Sequence, residues 1–196
     1  MYTVIGSLRT RTLRVLWALE EMGLPYQHRP HPPRHEAVAQ HNPSGKVPVL
    51  LDDDWALTDS TAILTYLADR HGLLTHPAGS RARAYQDSQT QTVLDEIEGL
   101  LWVASRHSFI LPEEQRLPAI KDSLRWEFAR NVARLGQRLE GREFVTGDMF
   151  TIADIVTAHN LRWAEVAKFP VTDPVVAAYF QRMSARPAYQ RAAQAA

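Results

Sequence analysis

The chain is 196 residues long and carries 22 basic and 22 acidic side chains, a balance that leaves no field to draw it onto nucleic acid or an anionic membrane. Its 45% hydrophobic content is enough for a sizeable core in one large domain or two small ones, and no apolar run approaches the roughly 18 residues of a membrane span. There is no cysteine, which removes disulfides, thiolate metal sites and every mechanism in which the protein's own sulfur attacks, so any thiol chemistry must use a sulfur brought by a ligand.

In chain order, Tyr2-Thr3-Val4-Ile5 reads as a first strand ended by Gly6. Arg9, Arg11 and Arg14 break the apolar stretch that a signal peptide needs, so a cytoplasmic location is expected. From Arg11 the period changes to helical, with Leu13, Val15, Leu16, Trp17, Leu19 and Met22 on a broad apolar face and Gly23-Leu24-Pro25 as the stop. Tyr26 to Arg29 reads as a second strand, and Pro30 to Pro43, with four prolines and three histidines, as irregular. Val47 to Leu51 and Trp55 to Leu57 form a hairpin across Asp52-Asp53-Asp54, and a helix from about Asp59 ends at His71-Gly72. This order of elements fits a small mixed sheet with helices packed on it.

Residues 75–80 read as a linker, and beyond them strand signals disappear. A long helix is expected from Ser80 to about His107, and another from Pro118 to Glu140 with Leu124, Phe128, Leu135 and Leu139 on its inner face. Thr151 and Asp154 form a capping-box pattern, with Phe150 and Ile155 placed as a hydrophobic staple. Asp173-Pro174 and Arg186-Pro187 begin two further helices. Trp102, Phe109, Trp126 and Trp163 fall in this helical half, where aromatic residues normally fill the core.

Two segments carry chemistry. Pro48 at a strand entrance has no N–H to give a ladder and is free to take the cis form, so the main chain of Val47 is left facing outward at a sheet edge, where a peptide-like ligand can pair with it. The helix opening at Asp59-Ser60 offers backbone N–H groups, the positive end of a dipole and a hydroxyl, a combination suited to a small carboxylate. Each has a plainer structural reading: an edge-strand proline and an ordinary helix start. Thr10 likewise suits a helix N-cap. Asp154 reads as a structural cap before it reads as a buried catalytic acid. His28, His31, His35 and His41 fall within 14 residues, but Pro32 and Pro33 remove the helical ligand spacing, and we read them as solvent-exposed loop residues with no metal.

Taken together, Thr10-Arg11-Thr12-Leu13-Arg14-Val15 leading into Trp17-Ala18-Leu19-Glu20-Glu21, the Asn42-Pro43 to Pro48-Val49-Leu50 segment, the Asp59-Ser60 pair and the Thr151-to-Asp154 cap resemble the cytosolic glutathione transferase family over nearly the whole chain. The resemblance implies an α/β thioredoxin-like N-terminal domain (residues 1–74) that binds glutathione, the linker, and an all-α C-terminal domain (residues 81–196) that supplies a pocket for a small electrophile, usually in a homodimer. It implies that Val47 pairs its backbone with the cysteinyl unit beside cis Pro48. Asp59 and Ser60 then hold the γ-glutamyl end, where many relatives have Glu-Ser, and Lys46 reaches the glycyl carboxylate. Thr10 aligns with the catalytic serine of several classes, with Ser7 and Arg11 as further groups that stabilise the thiolate. Trp102, Arg106 and Phe109 are placed in the electrophile pocket. Glutathione is the implied co-substrate, and the implied role is detoxification by conjugation. Two alternatives stand beside it: a glutathione-fold binding or scaffolding protein with little turnover, and a glutathione-dependent isomerase or peroxidase. A thiol-disulfide oxidoreductase is set aside because it needs a protein cysteine.

Overall fold

The computed structural model describes residues 1–195. Strand β1 (Tyr2–Ile5) is followed by helix α1 (Thr12–Met22), which is buried continuously from Thr12 to Leu19 rather than along one stripe. Gly23 closes α1 in the left-handed conformation, φ 65°, and its N–H returns to the carbonyls of Leu19 and Glu20. Strand β2 (Tyr26–Arg29) follows. The segment read as irregular contains one short helix, α2 (Glu36–Ala39), which forms because the Nδ1 of His35 accepts the Ala37 N–H and so caps it. Strands β3 (Val49–Asp52) and β4 (Trp55–Thr58) are joined by the two-residue turn Asp53-Asp54, with Asp53 at φ 54°. Helix α3 (Ser60–His71) ends at Gly72, again left-handed.

The sheet order is β2-β1-β3-β4. β1 runs parallel to β2 with Ile5 opposite Arg29, and antiparallel to β3 with Ile5 opposite Val49. β3 runs antiparallel to β4 with Val49 opposite Thr58. This register has one consequence for function. The residues after β1 (Gly6 to Thr10), those before β3 (Val47, Pro48) and those after β4 (Asp59, Ser60) all emerge at the same end of the sheet. Strand β3 begins two residues later than the sequence pattern placed it, because its ladder with β1 starts at Val49 and leaves Val47 outside.

The segment from Ser184 onward belongs to the same compact unit as Met1–Ser80, although the sequence reading assigned residues 81–196 to one domain. Its helix α9 (Pro187–Gln194) packs on α1, with Tyr189 edge-on to Trp17 at 4.9 Å between ring centres. Two ion pairs reinforce it: Arg186 grips Glu21 through Nε and Nη2 at 2.6 and 2.9 Å, and Arg191 Nε reaches Glu20 at 2.6 Å.

The second unit, Arg81–Met183, is helical. The long helix runs to Ile110 rather than His107 and is not uniform: α4 (Arg81–Val93) and α5 (Gly99–Ser105) are separated by a π turn at Leu94–Glu98, and a second π turn spans Arg106–Ile110. A π turn withdraws a carbonyl from the regular ladder, and the Glu96 carbonyl in the first turn accepts instead from Asn131 Nδ2 of α6 (Ile120–Leu139). α6 starts two residues after Pro118, and its Leu124, Phe128, Leu135 and Leu139 are buried. Helices α7 (Ile152–Val166) and α8 (Pro174–Ser184) complete the unit. At the start of α7, Asp154 accepts hydrogen bonds from the N–H groups of Thr151 (2.9 Å) and Val145 (2.8 Å) and from the Tyr179 hydroxyl (2.8 Å). Burial pushes its carboxyl up to about 6, against the opposing pull of those donors. The Phe150 ring packs edge-on against Phe144, at 5.7 Å between ring centres. Trp126 and Phe109 are not core residues as their type led us to expect: they are 64% and 68% exposed.

Candidate functional site

The site is built at the sheet end described above. The loop after β1 turns at Gly6, whose φ of 146° suits glycine, and a Cβ there would fall on the Thr12 hydroxyl and within 2.9 Å of Val47 Cβ. The β1–α1 loop and Val47 are therefore in direct contact. Thr10 is half-buried. Its Oγ1 donates to the Ser7 carbonyl at 2.7 Å, accepts the Thr12 N–H at 3.2 Å and lies 2.9 Å from the Thr12 hydroxyl. The N-cap position itself falls one residue later, on Arg11, which uses no side-chain cap. The Ser7 hydroxyl makes no hydrogen bond among the described residues.

On the opposing wall, Val47 lies between exposed Lys46 and buried Pro48, and the Val47–Pro48 peptide is cis. Among the described residues neither the N–H nor the C=O of Val47 is hydrogen-bonded. The turn that delivers it is held locally: Asn42 Nδ2 donates to the Lys46 carbonyl at 2.8 Å, and the Arg34 N–H to the Gly45 carbonyl at 2.8 Å. An unpaired main-chain donor and acceptor next to an ordered strand is a place where another extended chain can continue the pairing.

The third wall is the start of α3. Asp59 is exposed and sits at φ 71°, ψ 122°, outside the ordinary regions for a residue with a side chain. Its Oδ1 accepts the N–H groups of Thr61 (2.9 Å) and Ala62 (3.0 Å), so the capping reading of Asp59 is realised. Its second oxygen has no partner among the described residues. Ser60 is 2% exposed, and its Oγ accepts from Arg14 Nη1 at 3.2 Å. That leaves the Ser60 proton and the Ser60 N–H as donors, backed by a guanidinium that is itself fully buried in α1. Arg14 is a residue the sequence reading missed. Its signal was a cation inside the run Leu13 to Leu19, where helical spacing demands burial.

His28 also departs from its reading as a loop residue: it lies on β2, half-buried, with Nε2 2.8 Å from the Gly6 carbonyl. His31 and His35 stack at 4.2 Å. Among the described residues no group of three or more His, Cys, Asp or Glu is placed to hold a metal. In the second unit Trp102 is half-buried on α5, whereas Arg106 and Phe109 are exposed on the following π turn.

The family profile for the glutathione S-transferase N-terminal domain matches residues 10–70, and the one for the C-terminal domain matches residues 118–182. Glutathione S-transferase GstB of Escherichia coli K12 is 31% identical, over 93% of this chain and 92% of its own. The chain belongs to the glutathione S-transferase family. Glutathione S-transferase GST-4.5 of Xanthomonas campestris pv. campestris is 32% identical over 79% of this chain and 77% of its own length. In three dimensions, this glutathione S-transferase superposes on the theta-class enzyme of Xanthomonas axonopodis pv. citri, solved with glutathione bound, at a TM-score of 0.81 and 26% identity, covering 100% of this chain and 98% of that one. No described helix is long and apolar enough to cross a membrane.

Proposed function

We propose that the chain is a glutathione transferase that binds glutathione at the shared sheet end and transfers an alkyl or aryl group of a small electrophile to its sulfur. The observation that carries this reading is the unpaired main chain of Val47, set against the Gly6–Thr12 loop at the end of the sheet where α3 also begins. The cysteinyl unit pairs its amide and carbonyl with Val47. The γ-glutamyl carboxylate takes the Ser60 N–H and hydroxyl at the positive end of α3, the free oxygen of Asp59 takes the α-ammonium group, and Lys46 takes the glycyl carboxylate.

This placement leaves the sulfur at the loop bearing Ser7, Thr10 and Arg11. A thiol of pKa about 8.5 is mostly protonated at neutral pH, and lowering it by one unit takes about 1.4 kcal/mol, within reach of one hydrogen bond to a charged group. The Thr10 hydroxyl donates to the Ser7 carbonyl, a neutral acceptor. A thiolate accepts about twice as strongly, so the hydroxyl swings to the sulfur when the ligand arrives. Ser7 supplies a second hydroxyl without breaking an existing bond, and Arg11 adds charge. The thiolate then attacks carbon: the new C–S bond forms as halide leaves in substitution, or as electrons move into the acceptor in conjugate addition. Trp102, Arg106 and Phe109 contact the electrophile. Residues 1–74 are the glutathione-binding portion, 75–80 the linker and 81–183 the helical portion, with α9 returning to the first unit. The enzyme works in the cytoplasm, as a homodimer, in detoxification.

No observation favours a scaffold, isomerase or peroxidase. The test is a steady-state assay with glutathione and an aryl halide, run beside calorimetric titration of glutathione. Binding with turnover is the expected result, and binding without turnover would replace the transferase by a binding protein.

A further inference from the structure

Gly6 is the first residue beyond the β1 ladder, yet both of its polar groups are still held by β2: its N–H donates to the Arg29 carbonyl at 2.9 Å, and its carbonyl lies 2.8 Å from His28 Nε2. A carbonyl only accepts, so Nε2 carries the proton. The other nitrogen, Nδ1, is buried and has no partner among the described residues, so the ring is committed to this single bond. His28 shares a strand face with Tyr26, whose hydroxyl reaches Glu20 of α1 at 2.9 Å, so that face looks toward the helix. On its other sides Gly6 is pressed between the Thr12 hydroxyl and Val47 Cβ, with no room for a methyl group. Thr12 in turn touches the Thr10 hydroxyl at 2.9 Å.

We infer that His28 is a positioning residue for thiol activation: by pinning the Gly6 carbonyl it sets the Ser7–Thr10 loop against Val47, and so fixes the hydroxyls relative to the sulfur of the bound peptide. The inference rests on the glutathione reading above. Close packing leaves no slack at Gly6, so a displacement there passes to Thr12 and Val47 together, and donor placement to within an ångström governs such chemistry.

The test compares wild type, His28→Ala and His28→Gln, the last keeping an N–H donor at similar reach. The pH profile of kcat/KM for the electrophile, taken with glutathione saturating so that the enzyme–glutathione complex is the reactant, reports the bound-thiol pKa. In His28→Ala that pKa rises by about one unit, with an about tenfold loss of kcat/KM at neutral pH, and His28→Gln recovers most of the loss. Amide exchange at Ser7 to Thr10 rises in His28→Ala alone. A lowered Tm with an unmoved pH profile, or a His28→Gln profile equal to that of His28→Ala, overturns the inference. If His28→Ala does not fold, His28→Leu fills the space without a donor and is held to the same two outcomes. Wild type that fails to bind glutathione in the calorimeter overturns the glutathione reading and this inference with it, whereas binding with an unmoved profile overturns the inference alone.

Discussion

Replacing Asp154 by asparagine separates two opposed effects at the start of α7. The carboxylate accepts from Val145 N–H and Tyr179 OH on one oxygen and from Thr151 N–H on the other, so an amide must turn its NH2 toward one of these groups. One stranded buried donor costs about 1–3 kcal/mol at any pH. Against this, burial raises the folded carboxyl from the ordinary 3.8 to about 6. The folded state therefore keeps its proton to higher pH than the unfolded chain does. The stability that this proton lends is fully present below pH 4 and is lost as pH rises through 6. The difference of about 2 pKa units is worth about 3 kcal/mol, which the asparagine variant does not lose. Urea denaturation followed by far-UV circular dichroism, at intervals from pH 3.5 to 7.5, should show the wild type's advantage over Asp154→Asn shrinking by about 3 kcal/mol across that range. An advantage that stays level or widens with pH would mean that these hydrogen-bond donors favour the charge outright and that burial does not dominate.

Other outcomes follow from the same geometry. Asp59→Ala loses the α3 cap at about 1 kcal/mol while keeping the unfavourable backbone, whereas Asp59→Gly loses only a few tenths from the cap and relieves roughly 1–3 kcal/mol of strain. The glycine variant should therefore match or exceed wild type in thermal melting, yet both should bind glutathione more weakly by calorimetry; unchanged affinity would reduce Asp59 to a cap. Thr10→Val should lower kcat/KM about tenfold by raising the thiol pKa by about one unit, with a smaller effect for Ser7→Ala. The reverse order in the pH-rate profiles would transfer the main role to Ser7. Arg186→Met breaks a two-point, mostly buried ion pair with Glu21, which also accepts from the Trp17 indole, and should lower stability by about 1–3 kcal/mol in urea melts. A change near zero would mean that α9 is held by Tyr189 and its apolar neighbours alone.

The parts of this fold that were readable before the coordinates are those set by local chemistry. Gly23 and Gly72 stop α1 and α3 in the left-handed conformation, Asp59 and Asp173 cap the helices after them, and β1 is a β-branched run ended by Gly6. Features set by distant partners were not readable. The π turns at Leu94–Glu98 and Arg106–Ile110 leave no mark in periodicity, and the first depends on Asn131 from another helix. The docking of α9 on α1 depends on Glu20 and Glu21, which look like ordinary solvent-facing acids until Arg191 and Arg186 arrive. Arg14 and His28 were passed over for a related reason: a lone polar residue in an apolar or polar stretch says nothing of its partner, and here the partners are Ser60, 46 positions on, and Gly6, 22 positions back. Phe109 and Trp126 erred in the other direction, since size alone argued for burial that helix orientation denies them.

In the proposed function the open main chain of Val47 grips a tripeptide and delivers its sulfur to the β1–α1 loop. A crystal structure of the enzyme with glutathione tests it most directly. Two antiparallel hydrogen bonds should join Val47 to the cysteinyl unit, with the sulfur within about 3.5 Å of the Thr10 or Ser7 hydroxyl, or of the Arg11 guanidinium. Glutathione seated elsewhere, with Val47 N–H and C=O still unpaired, would contradict it.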